Sequence, residues 1–178
     1  MKKFLLITLL FPLFCSAQSV QTLDIKNGFL QFHLGDSLSL YKNYIYVANT
    51  KHPDENEVKS KALTLGKYLD KVTLVSKNGI VTEIDIMIRE EASEEFIDKL
   101  LLNAYGNGYE LPNDDKDEPG THLVCTTWTG QRVTAMLIQT NLNRMVNNHL
   151  TRARLQSLVF TKTSDVSING ALPVDFPL

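Results

Sequence analysis

Few residues of this chain could do chemistry, and they lie far apart. Gly35-Asp36-Ser37-Leu38 holds a serine whose hydroxyl could act as a nucleophile if a base drew off its proton. Cys125, in Leu-Val-Cys-Thr-Thr-Trp, could do the same as a thiolate if a charged neighbour lowered its pKa. Asp114, Asp115, Asp117 and Glu118 crowd carboxylates into one short run, as a calcium loop does. Trp128 stands beside Thr129-Gly130, where an indole at a hairpin end could anchor a binding partner. The available bases are His33, His52, His122 and His149.

Each chemistry needs partners. Gly35-Asp36-Ser37-Leu38 resembles the first block of the GDSL esterases and lipases. The resemblance implies Ser37 as nucleophile, an Asp-x-x-His pair near the C-terminus as base, and a Gly and an Asn from later blocks in the oxyanion hole. The residues three before the histidines are Leu30, Asn49, Pro119 and Val146, so that pair is missing. Leu111-Pro112-Asn113-Asp114 carries the Asn-Asp of the third block, with Leu111 in place of its Gly. A lone hydroxyl without an oriented base is a weak nucleophile. Ser37 is therefore read as structural: it or Asp36 caps the amides of a short helix. Esterase chemistry at Ser37 is the alternative.

The acidic run fails the calcium spacing. Starting at Asp115 puts Gly120 sixth, but Pro119 is then fifth and Thr126 twelfth. It reads as a solvated loop, with a metal bound by Asp114, Asp115, Asp117 and Glu118 as the alternative. His122 lies three residues from Cys125, on the opposite face of a strand, so Cys125 reads as a small buried hydrophobe. No second histidine or cysteine stands at ligand spacing from His122. Trp128 either binds a partner or closes the core beneath its turn. No cofactor is implied.

The ends and the charge set bounds. Lys2 and Lys3 precede an apolar run from Phe4 to Phe14 that only Thr8 and Pro12 interrupt, and Cys15-Ser16-Ala17 supplies the small residues of a cleavage site. This is the pattern of an export leader, cut after Ala17. The run is shorter than the roughly 20 residues that span a bilayer, and no later segment comes closer. Lipidation at Cys15 is a rival reading, but Phe14 and Pro12 stand where such signals carry a small residue and Leu. An exported protein, periplasmic or extracellular, is expected. The 178 residues suit one domain. The net charge of −2 becomes more acidic once Lys2 and Lys3 are removed, which disfavours nucleic acid. Arg144, Arg152 and Arg154 form the only basic cluster and read as a solvated loop. Cys125 alone remains after cleavage, so no internal disulfide can form.

The elements that would position these residues follow from periodicity. Residues 18–27 read as a polar lead. Residues 28–34 are extended with Leu30, Phe32 and Leu34 inward, and a short helix follows with Leu38, Tyr41 and Ile45 inside. Residues 49–61, around Pro53, read as a charged loop. Asn78-Gly79 predicts a two-residue hairpin turn with both residues at positive φ. After it, Ile80, Thr82, Ile84, Ile86 and Ile88 share one strand face, and Val81, Glu83 and Asp85 the other. Ser93 opens one long helix whose stripe is Phe96, Ile97, Leu100, Leu101 and Ala104, with Gly106 as its stop. A second hairpin turns at Thr129-Gly130, residues 154–163 form one more strand, and 164–178 is an irregular tail. The fold class is α+β: one domain over 28–163, an antiparallel sheet of hairpins with one long and one short helix on one face.

Gly28 to Ser39 before a helix, the Lys77-to-Ile86 hairpin, Leu100 to Gly106, and a second hairpin with Trp128-Thr129-Gly130 resemble small exported bacterial proteins of the β-lactamase-inhibitor-like and BamE-like kind. The likeness runs over roughly residues 28 to 140. It implies helix-plus-hairpin units in a layered sheet, and a binding or assembly role in the envelope with a protein or envelope component as partner. An inhibitor or immunity-type protein is a further alternative.

Overall fold

The computed structural model describes residues 17–47, 50–111, 122–146 and 149–165. The expected leader through residue 16, the acidic run Asp114, Asp115, Asp117 and Glu118, and the tail beyond Asp165 fall outside the described residues.

Alternating apolar residues build an eight-stranded antiparallel sheet. Its strands are β3 (Ile45–Val47), β4 (Glu55–Val58), β5 (Leu69–Lys77), β6 (Ile80–Ile88), β7 (Tyr109–Glu110), β8 (His122–Thr129), β9 (Val133–Val146) and β10 (His149–Lys162). Their spatial order is β3-β4-β5-β6-β10-β9-β8-β7. The sheet is thus two four-stranded meanders joined through their last strands, β6 and β10. Each meander contains one of the two expected hairpins, β5–β6 and β8–β9. Before the sheet come helix α1 (Ala17–Lys26) and a two-stranded hairpin of β1 (Gly28–Phe29) and β2 (Phe32–His33).

One face of the sheet is covered. Val72, Leu74, Ile84, Ile86, Ile88, Val133, Ala135, Leu137, Leu158 and Phe160 form a single cluster with Leu23 of α1, Phe29 and Phe32 of the small hairpin, and Phe96, Leu101 and Tyr105 of the helical segment that follows β6. Burying a side chain such as Leu23 stabilises by about 1.5–3 kcal/mol. The stretch 18–27 is therefore no detached lead.

The long helix is not formed as one α-helix. The segment runs as α2 (Ser93–Phe96), a π-helical stretch (Ile97–Leu102) and α3 (Asn103–Tyr105). The pattern of burial gives the reason. Phe96 and Leu101 are both buried although five residues apart, a separation that an α-helix would turn to different sides. The i→i+5 repeat of a π turn stacks them on one side. The predicted stripe does meet the core, with Ile97, Leu100 and Ala104 packed against it. Gly106 ends the segment with φ 73.

Asn78 and Gly79 have φ 54 and 74, as the hairpin requires. The face assignment in β6 needs correction at its start. Val75 pairs with Glu83 and Ser76 with Val81, so Thr82 is an extra residue on its strand. This bulge reverses the alternation: Val81 is buried and Ile80 exposed, while Ile84, Ile86 and Ile88 face the core as expected. At residues 28–34 the extended run is instead the β1–β2 hairpin. Leu30 occupies its turn at φ 54 and is exposed, and Phe29 takes the inward place. The charged loop around Pro53 contains β4, because Asn56 and Val58 turn inward between Glu55 and Glu57. The expected last strand starts earlier than residue 154, and Arg144, Arg152 and Arg154 stand in β9 and β10 rather than in a loop.

Candidate functional site

The stretch around Ser37 is bound to the tip of the β5–β6 hairpin. Gly35 N–H donates to the Val81 carbonyl at 2.7 Å, Val81 N–H to the Asp36 carbonyl at 2.9 Å, and Leu38 N–H to the Gly79 carbonyl at 2.8 Å. Ser37 itself forms an isolated bridge with Ile80. A 3-10 turn, Leu38–Tyr41, follows, and the Ser37 side chain makes no capping bond to it. The capping role read from the sequence is thus corrected: Ser37 is structural through its backbone. Its Oγ shares a hydrogen bond of 2.8 Å with Ser39 Oγ.

Asp36 does not cap the turn either. Its Oδ2 accepts the Tyr41 phenol at 2.6 Å and lies 3.4 Å from His33 Nδ1. The Tyr41 oxygen in turn accepts the His33 backbone N–H at 3.1 Å. Burial, and then the bond to Asp36, push the Tyr41 phenol up to about 12, so it remains a donor. The histidine nearest in sequence to Ser37 is committed to Asp36, and the serine hydroxyl to another serine. Nothing in this arrangement places an imidazole on Ser37 Oγ.

The other sequence candidates separate. Trp128 is buried (3% exposed) and donates its indole N–H to the Gly106 carbonyl at 2.8 Å. It closes the core at the stop of the helical segment instead of offering an aromatic face to a partner. Cys125 is a free, half-buried thiol that burial pushes up, the opposite of activation. His52 Nδ1 lies 3.8 Å from Glu55 Oε1 on an exposed loop, and His122 and His149 stand in β8 and β10. Among the described residues no group of three His, Cys, Asp or Glu could hold a metal.

What the fold does assemble is the second face of the sheet, away from the core cluster. Registers across it put Glu55 beside Val75 and Val75 beside Glu83, and Glu57 beside Thr73 and Thr73 beside Asp85. Four carboxylates from β4 and β6 thus share one half of the face. Lys71 Nζ is 3.6 Å from Glu57 Oε2, Tyr46 donates its hydroxyl to Glu57, and Ser157 donates to Asp85. Burial, then the charges of Asp85 and Glu55, raise the Glu83 carboxyl above its ordinary range. The other half is apolar. Met87 pairs with Ser157, Val159 with Met136, and Ser157 with Ile138, which pairs with Cys125. Leu155 is two residues before Ser157 on the same strand face. Met87 and Leu155 remain 39% and 43% exposed. Ile138 and Val159 are buried yet belong to this face and not to the core cluster. A shallow depression of about 330 Å³ lies at its margin, lined by Tyr46, Glu57, Lys59, Lys61 and Asp70 among others.

The alternation in β6 put Glu83 and Asp85 on one face in the sequence already. Glu55 and Glu57 joined them only with β4, whose signal the surrounding charges hide. Among models of protein families, curated proteins and solved structures, none matches this chain, so its function is read from its own residues.

Proposed function

We propose that this protein is an exported, non-enzymatic binding or assembly domain of a bacterial envelope, working through the sheet face opposite its helices. One observation carries the reading. The described helices and the small hairpin cover one face with Leu23, Phe29, Phe32, Phe96, Leu101 and Tyr105, while the other presents exposed Met87 and Leu155 beside a band of four carboxylates. A sheet this wide with one solvated face usually alternates apolar and polar residues cleanly. Exposed apolar side chains grouped there, with charge at their border, are the composition of a contact surface. The leader-like start and the resemblance to β-lactamase-inhibitor-like and BamE-like proteins support the same class. The esterase alternative draws on the His33–Asp36 pair beside Ser37.

Photo-reactive residues at Met87 and Leu155, with Ile25 on α1 as control, test the reading in producing cells. Cross-links confined to the sheet face are expected. The reading is overturned if a fluorophosphonate probe labels Ser37 and the label is lost in a folded Ser37→Ala variant.

A further inference from the structure

On the open face, β5 is a low row between two acidic ones. Glu55 and Glu57 flank it on β4, Glu83 and Asp85 flank it on β6, and the short side chains of Val75 and Thr73 stand between them. Lys71 and Lys77, two residues to either side on the same face of β5, close the row at its ends. The result is a trough along β5. Its walls are two strand spacings apart, about 10 Å, and the carboxylates along each wall are about 7 Å apart.

The chain neutralises this trough only in part. Lys71 Nζ reaches Glu57 at 3.6 Å, His52 Nδ1 lies 3.8 Å from Glu55, and Asp85 accepts the Ser157 hydroxyl. Among the described residues no lysine or arginine pairs with Glu55, Glu83 or Asp85. Burial, then the like charges of Asp85 and Glu55, hold Glu83 above its ordinary range. On the floor, Thr73 is 7% exposed, and no hydrogen bond engages its hydroxyl among the described residues. Buried hydroxyls ordinarily have a partner. An ammonium or guanidinium laid in the trough would donate to this hydroxyl and to the walls beside it. A single metal ion fits poorly, because the acids are spread over about 7 by 10 Å and among the described residues no three converge on a metal position.

We propose that the trough takes a basic extended segment of a partner protein, with lysine or arginine at alternate positions lying along β5 between the two acidic walls. The spacing of about 7 Å along each wall is that of alternate side chains in an extended chain. Beyond Asp85 the same face continues to exposed Met87, with Leu155 on neighbouring β10. Apolar residues of a protein segment would cover both, which a small polycation would leave bare. Charge that is matched across an interface fixes its register and makes it sensitive to salt. The inference rests on the open face as working surface, and names the chemistry of what docks there.

A capped seven-residue peptide with Lys at alternate positions and Ser between them is the probe, titrated into the full mature chain. A dissociation constant of ~1 mM or tighter is expected at ~50 mM salt, weakened about tenfold or more at ~500 mM. Glu55→Gln with Glu83→Gln should weaken binding about tenfold. Glu90→Gln with Glu91→Gln, the same change of charge outside the trough, should leave it unaltered. Val75→Lys places the chain's own cation between Glu55 and Glu83, and should abolish binding while raising the thermal midpoint. Thermal midpoints of all variants show that each is folded. Binding that survives Val75→Lys, or that falls equally in both glutamine pairs, overturns the trough as the site. A wild type that ignores the peptide at ~5 mM in low salt overturns it too. Spermidine binding as tightly as the peptide would make the ligand a small polyamine and sink the protein partner. Cross-links from Met87 and Leu155 to a segment without Lys or Arg would sink the basic partner and leave the proposed function standing.

Discussion

Asp24 accepts three consecutive backbone amides, from Gln131 at 2.7 Å, Arg132 at 2.9 Å and Val133 at 3.0 Å. Partial burial is the largest single influence and would raise its pKa, but the three amides and the Arg132 charge together outweigh it, so the carboxyl is held below its ordinary value. Its stabilisation is therefore present above the ordinary carboxylate range and is lost as pH falls through the lowered value. Asp24→Asn should cost about 1–2 kcal/mol at pH 7 and progressively less in acid, read from urea midpoints at both pH values. Glu83 has the opposite sign. Its raised pKa means that charging it works against the folded state as pH rises, so Glu83→Gln should gain a few tenths of a kcal/mol at pH 7 and nothing below about pH 4. Ser37→Ala should shift the midpoint by less than about 0.5 kcal/mol, since the side chain caps nothing. A loss of about 1 kcal/mol would restore the capping role that the sequence suggests.

Hairpin β5–β6 carries its instruction locally. Asn78 and Gly79 sit at φ 54 and 74, and Gly79→Val should cost about 1 kcal/mol or more because a β-branched residue fits that region badly. The helical segment after β6 is decided by packing. Leu101→Asp buries an unpaired carboxylate and should prevent folding, with loss of the cooperative thermal transition as the readout. These two elements mark what the sequence makes legible. A turn whose two residues need positive φ announces itself in two letters. A stripe of apolar residues announces a helix, but not the choice between i→i+4 and i→i+5, which depends on which knobs the sheet accepts. The Thr82 bulge is equally silent, because inserting one residue leaves the local alternation intact and only its partner strand reveals the slip. β4 was hidden by Glu55 and Glu57 facing outward, and α1 by its polar sides. As for the candidate site, Ser37 and Trp128 drew notice by residue type. The face that assembles four carboxylates beside Met87 and Leu155 needed strand order, which no short window contains.

At the scale of the molecule, the first element is held by a turn more than a hundred residues later. Removing residues 18–26 would expose the core beneath Leu23 and leave the amides of Gln131, Arg132 and Val133 without their carboxylate. The truncated chain should lose about 3 kcal/mol or more, measured by chemical denaturation. The strand order has a further consequence, for the order in which the chain is made. β10 is the last of the described strands in sequence, yet it lies between β6 and β9 in the middle of the sheet. The meander from β3 to β6 is complete when Ile88 has been synthesised, and it must wait for residues 157–161 before its edge finds a neighbour. At about 5–20 residues per second that delay is several seconds, during which β6 offers an open edge to any extended chain nearby. For a chain exported as proposed above, the same delay leaves β6 without its second neighbour until residues 157–161 have emerged.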